Sequence, residues 1–209
     1  DLVFYSRLEV PYIGITDLLK ISGSLFGDQA IDYTKTQDGF TVSYLDDVYE
    51  ETLSLEYNSK TGLATANHFE FFTHMDMEDL YLPWNYYLYE FEDEQYSDLT
   101  DEVTLDFEAY NLSPVYEDGE YYIPLGLGNI LFSVSGWGVY YTGEEIYVLD
   151  YDNQFTVDIL DPSYYDFEVP LDLQLHTLDV LAFYFDYFYG LNFDQTENYY
   201  LNMIREDYL

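Results

Sequence analysis

The chain contains no cysteine, which excludes a disulfide framework and a thiolate metal site and leaves the redox compartment open. Basic residues are almost as scarce. Five Lys and Arg stand against 42 Asp and Glu, for a formal net charge of −37, and no Lys or Arg occurs from Thr61 to Ile204. Ion pairing cannot organise that region, so its carboxylates must sit in water, cap helices, bind cations or accept a raised pKa where they crowd. Nucleic acid and anionic membrane surfaces are held through Lys/Arg patches, and the deficit argues against both as partners. No apolar run reaches the roughly 20 residues that a membrane span requires, so no membrane insertion by this segment is expected. The chain opens at Asp1 without Met, signal peptide or lipidation motif, which is the expectation for a trimmed or mature secreted form.

What is present is apolar and aromatic. With 48% hydrophobic and 21% aromatic residues, the chain escapes the disorder that its charge alone would suggest. Its 209 residues suffice for one large or two small domains. Self-repulsion among unpaired acids gives a first prediction: added salt or calcium should raise the melting temperature, and a flat response would show the acids to be neutralised internally.

The stretch Glu120 to Asp150 repeats an earlier pattern. Val10 to Leu19 lies over Tyr122 to Leu131 without a gap, 112 positions apart: Ile13 meets Leu125, Gly14 meets Gly126, Ile15 meets Leu127, Asp17 meets Asn129, and Leu18-Leu19 meet Ile130-Leu131. Each copy reads as a short strand, a short helix and a hairpin. In the first, Thr16 is the expected N-cap, Gly23 and Gly27 the stop, and Gln37-Asp38-Gly39 a hairpin turn in which Asp-Gly supplies positive φ. A second hairpin is expected from Thr52 to Phe69 around Asn58 to Gly62. The acidic run Glu90 to Glu102 reads as a boundary, and strand order restarts at Val103, Leu105 and Phe107. Asp118-Gly119 reads as a turn into the second copy, whose own hairpin carries Val139, Tyr141, Ile146 and Val148 around Gly143. Phe155 to Ile159 reads as a further strand. From Leu171 the period changes to about 3.6, with Leu175, Leu178, Leu181-Ala182, Phe185 and Phe188-Tyr189 on one side and Gly190 at C′. Asp194 with Glu197 resembles a capping box that opens a last helix to about Asp207. The expected fold class is therefore α+β: two similar small strand-helix-hairpin modules with antiparallel sheets, at 1–90 and 91–160, followed by a C-terminal helical segment at 161–209.

Several stretches together resemble a known family. Leu105 to Tyr110, Tyr116 to Gly119, Tyr122 to Leu125 and Tyr141 to Val148 are similar to the N-terminal, non-catalytic region of secreted tail-specific serine peptidases of Gram-positive bacteria. Phe185 to Leu191 is similar to the "DYxYGL" helix end that leads, in those proteins, into the peptidase part, and Val10 to Ile13 with Asp17 to Leu19 is similar to their first module. The resemblance implies an accessory region that positions or regulates a downstream peptidase domain of the same polypeptide or binds its polypeptide substrate, in an extracellular or cell-surface setting. It implies no catalytic residue here, because the family's Ser nucleophile and Lys base lie in the later domain. The strand-helix-hairpin unit also looks like the amine-oxidase N-terminal-like module of bacterial surface proteins, without implying copper. A cell-surface or carbohydrate-binding module is the alternative, and an autonomous hydrolase a third reading.

No catalytic constellation assembles from residue types, and no cofactor is expected. His68, His74 and His176 fall at dissimilar places for a triad. Ser133 and Ser135 do not complete Gly-x-Ser-x-Gly, and Lys60-Thr61-Gly62 lacks the partner motifs of penicillin-recognising enzymes, so it reads as a turn. His68, His74, Asp76 and Glu78 can be drawn as zinc ligands, but the spacing fits no familiar motif. For calcium, Asp150, Asp152 and Asn153, or Glu92, Asp93 and Glu94, offer oxygens without completing an EF-hand loop. Paired carboxylates for glycoside hydrolysis are too numerous for any pair to stand out. Trp84 with Tyr86-Tyr87, and Trp137 with Tyr140, are candidate sugar platforms that read better as core or sheet-face residues.

Overall fold

A computed structural model describes residues 2–4, 10–25, 30–46, 50–74, 102–132, 137–141, 146–150, 169–188 and 199–208. The fold is α+β and every strand pair is antiparallel. One sheet has the order β1 (Leu2–Phe4), β2 (Pro11–Gly14), β9 (Glu120–Pro124), β8 (Val115–Glu117). A second is a five-stranded meander of β3 (Ile31–Thr36), β4 (Gly39–Asp46), β5 (Glu51–Asn58), β6 (Leu63–Ala66) and β7 (Val103–Asp106). A third is the hairpin β10 (Trp137–Tyr141) and β11 (Ile146–Asp150).

Both copies of the unit form. β2 runs directly into α1 (Ile15–Leu25) and then the β3–β4 hairpin, while β9 runs into α3 (Leu125–Phe132) and then the β10–β11 hairpin. The copies share a sheet, because β2 pairs with β9. The pairing sets Ile13 opposite Ile123 and the helices begin at Ile15 and Leu125, so the elements recur 110 residues apart rather than the 112 of the sequence pattern. A two-residue shift keeps every strand side chain on its face, so alternation alone does not separate the two registers. Gly14 and Gly126, aligned in the sequence, consequently end a strand and lie inside a helix, respectively.

The meander follows from alternation. Phe40, Val42 and Tyr44 on β4 and Leu53, Leu55 and Tyr57 on β5 are buried, with Thr41, Ser43, Ser54 and Glu56 between them on the other face. Rings carry this core inward: Phe40 lies 5.2 Å from both Tyr57 and Tyr121, Tyr57 stacks on Phe107 at 5.7 Å, and Phe107 meets Phe183 at 5.7 Å. One cluster of buried residues joins the sheets to α1, α3, α4 (Leu171–Tyr187) and α5 (Tyr199–Tyr208). Strand pairing crosses residue 90, through β2–β9 and β6–β7, and the buried core extends past both 90 and 160.

α3 is held at close range on two sides. A Cβ on Gly126 would stand 2.9 Å from Val180 of α4, and one on Gly128 would stand 2.8 Å from Leu18 of α1. The two glycines cost about 1 kcal/mol each in helix propensity, and in return both neighbours approach the helix backbone.

Four local expectations are corrected. Thr16 is not an N-cap: the helix begins at Ile15, straight out of β2, so Thr16 lies in the first turn and its hydroxyl is free to bond elsewhere. Gly23 does not stop α1, which continues to Leu25. Gly39 has no positive φ; it is the first residue of β4, and a Cβ there would lie 2.0 Å from the carbonyl oxygen of Tyr57 on β5. On α4 the buried residues are His176, Asp179, Ala182 and Phe183, whereas Leu181 and Tyr184 are exposed and Leu175, Leu178 and Phe185 half-buried. On this line Asp179 meets the Asn111 amide, which donates to it at 3.2 Å, and His176 lies beside Gly126 of α3. By contrast, Asp118 and Gly119 do adopt φ of 50° and 81°, the mirror-image turn expected of Asp-Gly. Gly119 has nothing within 4 Å of a built Cβ, so Gly119→Ala should cost only the conformational penalty, about 1 kcal/mol, read as a small drop in the urea midpoint. Gly27, Gly143, Phe155 to Ile159, Gly190, Asp194 and Glu197 lie outside the described residues.

Candidate functional site

Two polar junctions inside the fold gather long-range side-chain bonds from several elements. The first is Glu120, at the start of β9. Its carboxylate accepts hydrogen bonds from the Thr16 hydroxyl of α1 at 2.7 Å, the Tyr33 hydroxyl of β3 at 3.0 Å, the Lys35 ammonium of β3, and its neighbour's N–H, Tyr121, at 3.0 Å. One acid therefore ties the four-stranded sheet and α1 to the edge of the meander. Burial raises the Glu120 pKa, but the hydrogen bonds from Lys35, Thr16 and Tyr33 and the Lys35 charge outweigh it and hold the carboxyl below its ordinary value. The stability that follows is present above the ordinary Glu pKa and is lost as pH falls through the lowered one.

The second junction lies under α4. Phe107, Tyr110 and Leu112, on the loop between β7 and β8, are fully buried. The Tyr110 hydroxyl donates to Asp186 at 2.8 Å, and the same carboxylate accepts the N–H groups of Tyr200 (2.9 Å) and Leu201 (3.1 Å). Asp186, near the end of α4, thus caps the first turn of α5 from another helix. Around it the Asn111 amide donates to Asp179 at 3.2 Å, the Asp106 N–H donates to the Tyr187 hydroxyl at 3.2 Å, and Arg205 donates to the carbonyl of Ala109 at 2.7 Å. Burial, then the bond to Asp186 and the nearby negative charge, push the Tyr110 pKa well up. Replacing Asp186 by Ala should strip the hydroxyl and both N–H groups of the acceptor they share, costing about 2–4 kcal/mol of stability, read from the drop in the urea unfolding midpoint. An unchanged midpoint would show that the cap contributes nothing.

The residues singled out from the sequence do not converge. His68 stands 3.8 Å from Glu51 on the bend after β6, and His74 ends the short helix α2 (Phe71–His74). His176 lies on the inward face of α4, beside Gly126. Lys60-Thr61-Gly62 forms the β5–β6 turn, as expected, with Lys60 donating to Asp38 at 2.7 Å and Gly62 at φ 70°. Trp137 pairs with Asp150 at one end of the β10–β11 ladder, and Tyr140 with Tyr147 within it. Asp76, Glu78, Trp84, Tyr86, Tyr87, Glu92, Asp93, Glu94, Ser133, Ser135, Asp152 and Asn153 lie outside the described residues. Among the described residues no group of three or more His, Asp or Glu is placed to hold a metal ion, and no helix is long and apolar enough to cross a membrane.

Residue chemistry alone singled out neither Glu120 nor Asp186. Nothing in the sequence separates Glu120 from Glu117 and Asp118 in the same turn. Nor does anything mark Asp186, whose partners lie 14, 15 and 76 residues away. Comparison of the chain with protein families, with characterised proteins and with solved structures finds no match.

Proposed function

We propose that this chain is a non-catalytic accessory region of an extracytoplasmic serine peptidase, which positions or regulates a downstream catalytic domain or holds its polypeptide substrate. The observation that supports this reading is how the polar groups at the two junctions are used. Glu120 takes donors from α1, β3 and its own strand, and Asp186 takes them from the β7–β8 loop and α5, which suits a clasp and leaves little freedom for proton transfer. The run that resembles the helix end leading into the peptidase part takes part in this clasp. Asp186 caps α5 and Tyr187 receives the Asp106 N–H, so that end of α4 is braced on both sides. A rigidly braced helix end is what a downstream domain needs in order to be held at a fixed angle. Purified chain incubated with an unfolded polypeptide should give no cleavage by mass spectrometry. Turnover would overturn the assignment.

A further inference from the structure

The edges of the two larger sheets differ. β1 and β8, which border the four-stranded sheet, are three residues each. At the far side of the meander, β7 is four residues long and its Asp106 N–H is taken by the Tyr187 hydroxyl of α4. β3, the other border of the meander, is six residues long, contains no proline, and has no strand beyond it among the described residues. Thr36 and Gly39 flank a two-residue turn and so form a hydrogen-bonded pair; ladder alternation then turns the N–H and C=O of Lys35 and Tyr33 away from β4.

Edges of this kind are ordinarily guarded by an outward lysine or a bulge. Here β3 pairs with β4 without a break in register, and Lys35 is drawn onto Glu120 together with the Tyr33 hydroxyl. The Glu120 clasp therefore fixes the edge in place and removes its guard. What remains outward is main chain, flanked by the exposed side chains of Asp32, Thr34 and Thr36.

We infer that the outer edge of β3 is a docking site for an extended, basic segment of another polypeptide, which adds to the meander as a further strand. This rests on the accessory reading above and names the partner's conformation and charge. Extension follows from what the edge offers, donors and acceptors at strand spacing rather than a groove or pocket. Basicity follows from charge complementarity. Each described lysine is already matched to an acid, Lys20 to Asp17, Lys35 to Glu120 and Lys60 to Asp38, within a chain of net charge −37.

The test uses the whole chain, isotope-labelled, titrated with an eight-residue peptide of alternating Lys and Val, and with the same peptide N-methylated at alternate residues on its pairing edge. The expected result is slowed exchange and shifted resonances of the Tyr33 and Lys35 amides with the first peptide, and at least tenfold weaker binding of the second. Equal binding of both peptides would overturn the proposal by showing attraction through charge alone. So would shifts confined to residues away from β3, or no binding. Each of these leaves the cleavage assay untouched, so the edge can fail while the accessory reading stands, and observed cleavage would remove that reading whatever the edge binds.

Discussion

Gly39→Ala is expected to destabilise the protein by about 3 kcal/mol or more, which lowers the melting temperature by about 10 °C in a chain of this size. The added methyl would sit 2.0 Å from the Tyr57 carbonyl oxygen and 3.1 Å from its carbonyl carbon, both main-chain atoms that no rotamer change can remove. Relief requires β4 and β5 to part where Gly39 faces Asn58 and Phe40 faces Tyr57. That is where the aromatic core begins, with Phe40, Tyr57 and Tyr121 in mutual contact. Gly119→Ala is the control, since it introduces a strained φ without a clash. Thermal unfolding of the two variants side by side distinguishes close approach from backbone conformation as the reason for a glycine. Equal, small losses would show that β4 and β5 separate there at little cost.

Alkali should unfold the chain over a narrow range. Tyr44, Tyr57 and Tyr110 are buried; burial, followed by neighbouring acids or phenols, raises all three pKa values from 10.0, that of Tyr57 to about 12. The Tyr44 hydroxyl is also bound, donating to the Phe71 carbonyl at 2.9 Å. Above pH 10 the unfolded chain releases these protons while the folded chain keeps them, so the unfolded state binds fewer protons and stability falls as pH rises. Each such group costs about 1.4 kcal/mol per pH unit. Three remove about 4 kcal/mol per unit up to about pH 12, where Tyr57 ionises in the folded chain as well, so about 8 kcal/mol is lost by then, enough to exhaust a stability in the lower half of the usual 5–15 kcal/mol. Tyr33 and Tyr121 are raised as well and act in the same direction. Near-ultraviolet tyrosinate absorbance should rise first for the exposed rings with circular dichroism unchanged. The remaining absorbance should then appear in one step together with loss of secondary structure. Smooth ionisation of every tyrosine near pH 10 with the fold intact would contradict the burial described here.

Much of the architecture was legible because strands and turns write themselves locally. Alternation at Phe40, Val42, Tyr44 and at Leu53, Leu55, Tyr57, and the Asp118-Gly119 turn, each depend on neighbours a few residues away. The recurrence of strand, helix and hairpin was legible for the same reason. Its consequence was not: that β2 and β9 pair depends on contacts over 100 residues apart, which no local period records. Apolar spacing on α4 favours Leu181 as an inward residue, whereas it is Asp179 that is buried, bonded by Asn111 across the interface. A cap is the local reading of the Thr16 hydroxyl, whereas its partner Glu120 lies 104 residues away. Both polar junctions thus escaped a reading based on chemistry and spacing.

The central claim is that two copies of one unit are locked into a single body through β2, β9 and the Glu120 clasp. Native-state hydrogen exchange in increasing urea tests it most directly, by following amides of β2, β9, β4 and β5 together. The account predicts that the slowest of these, in both sheets, share one opening free energy and one urea dependence. If the meander amides persisted after those of β2 and β9 had exchanged, with a separate urea dependence, the two sheets would be independent bodies and the claim would be wrong.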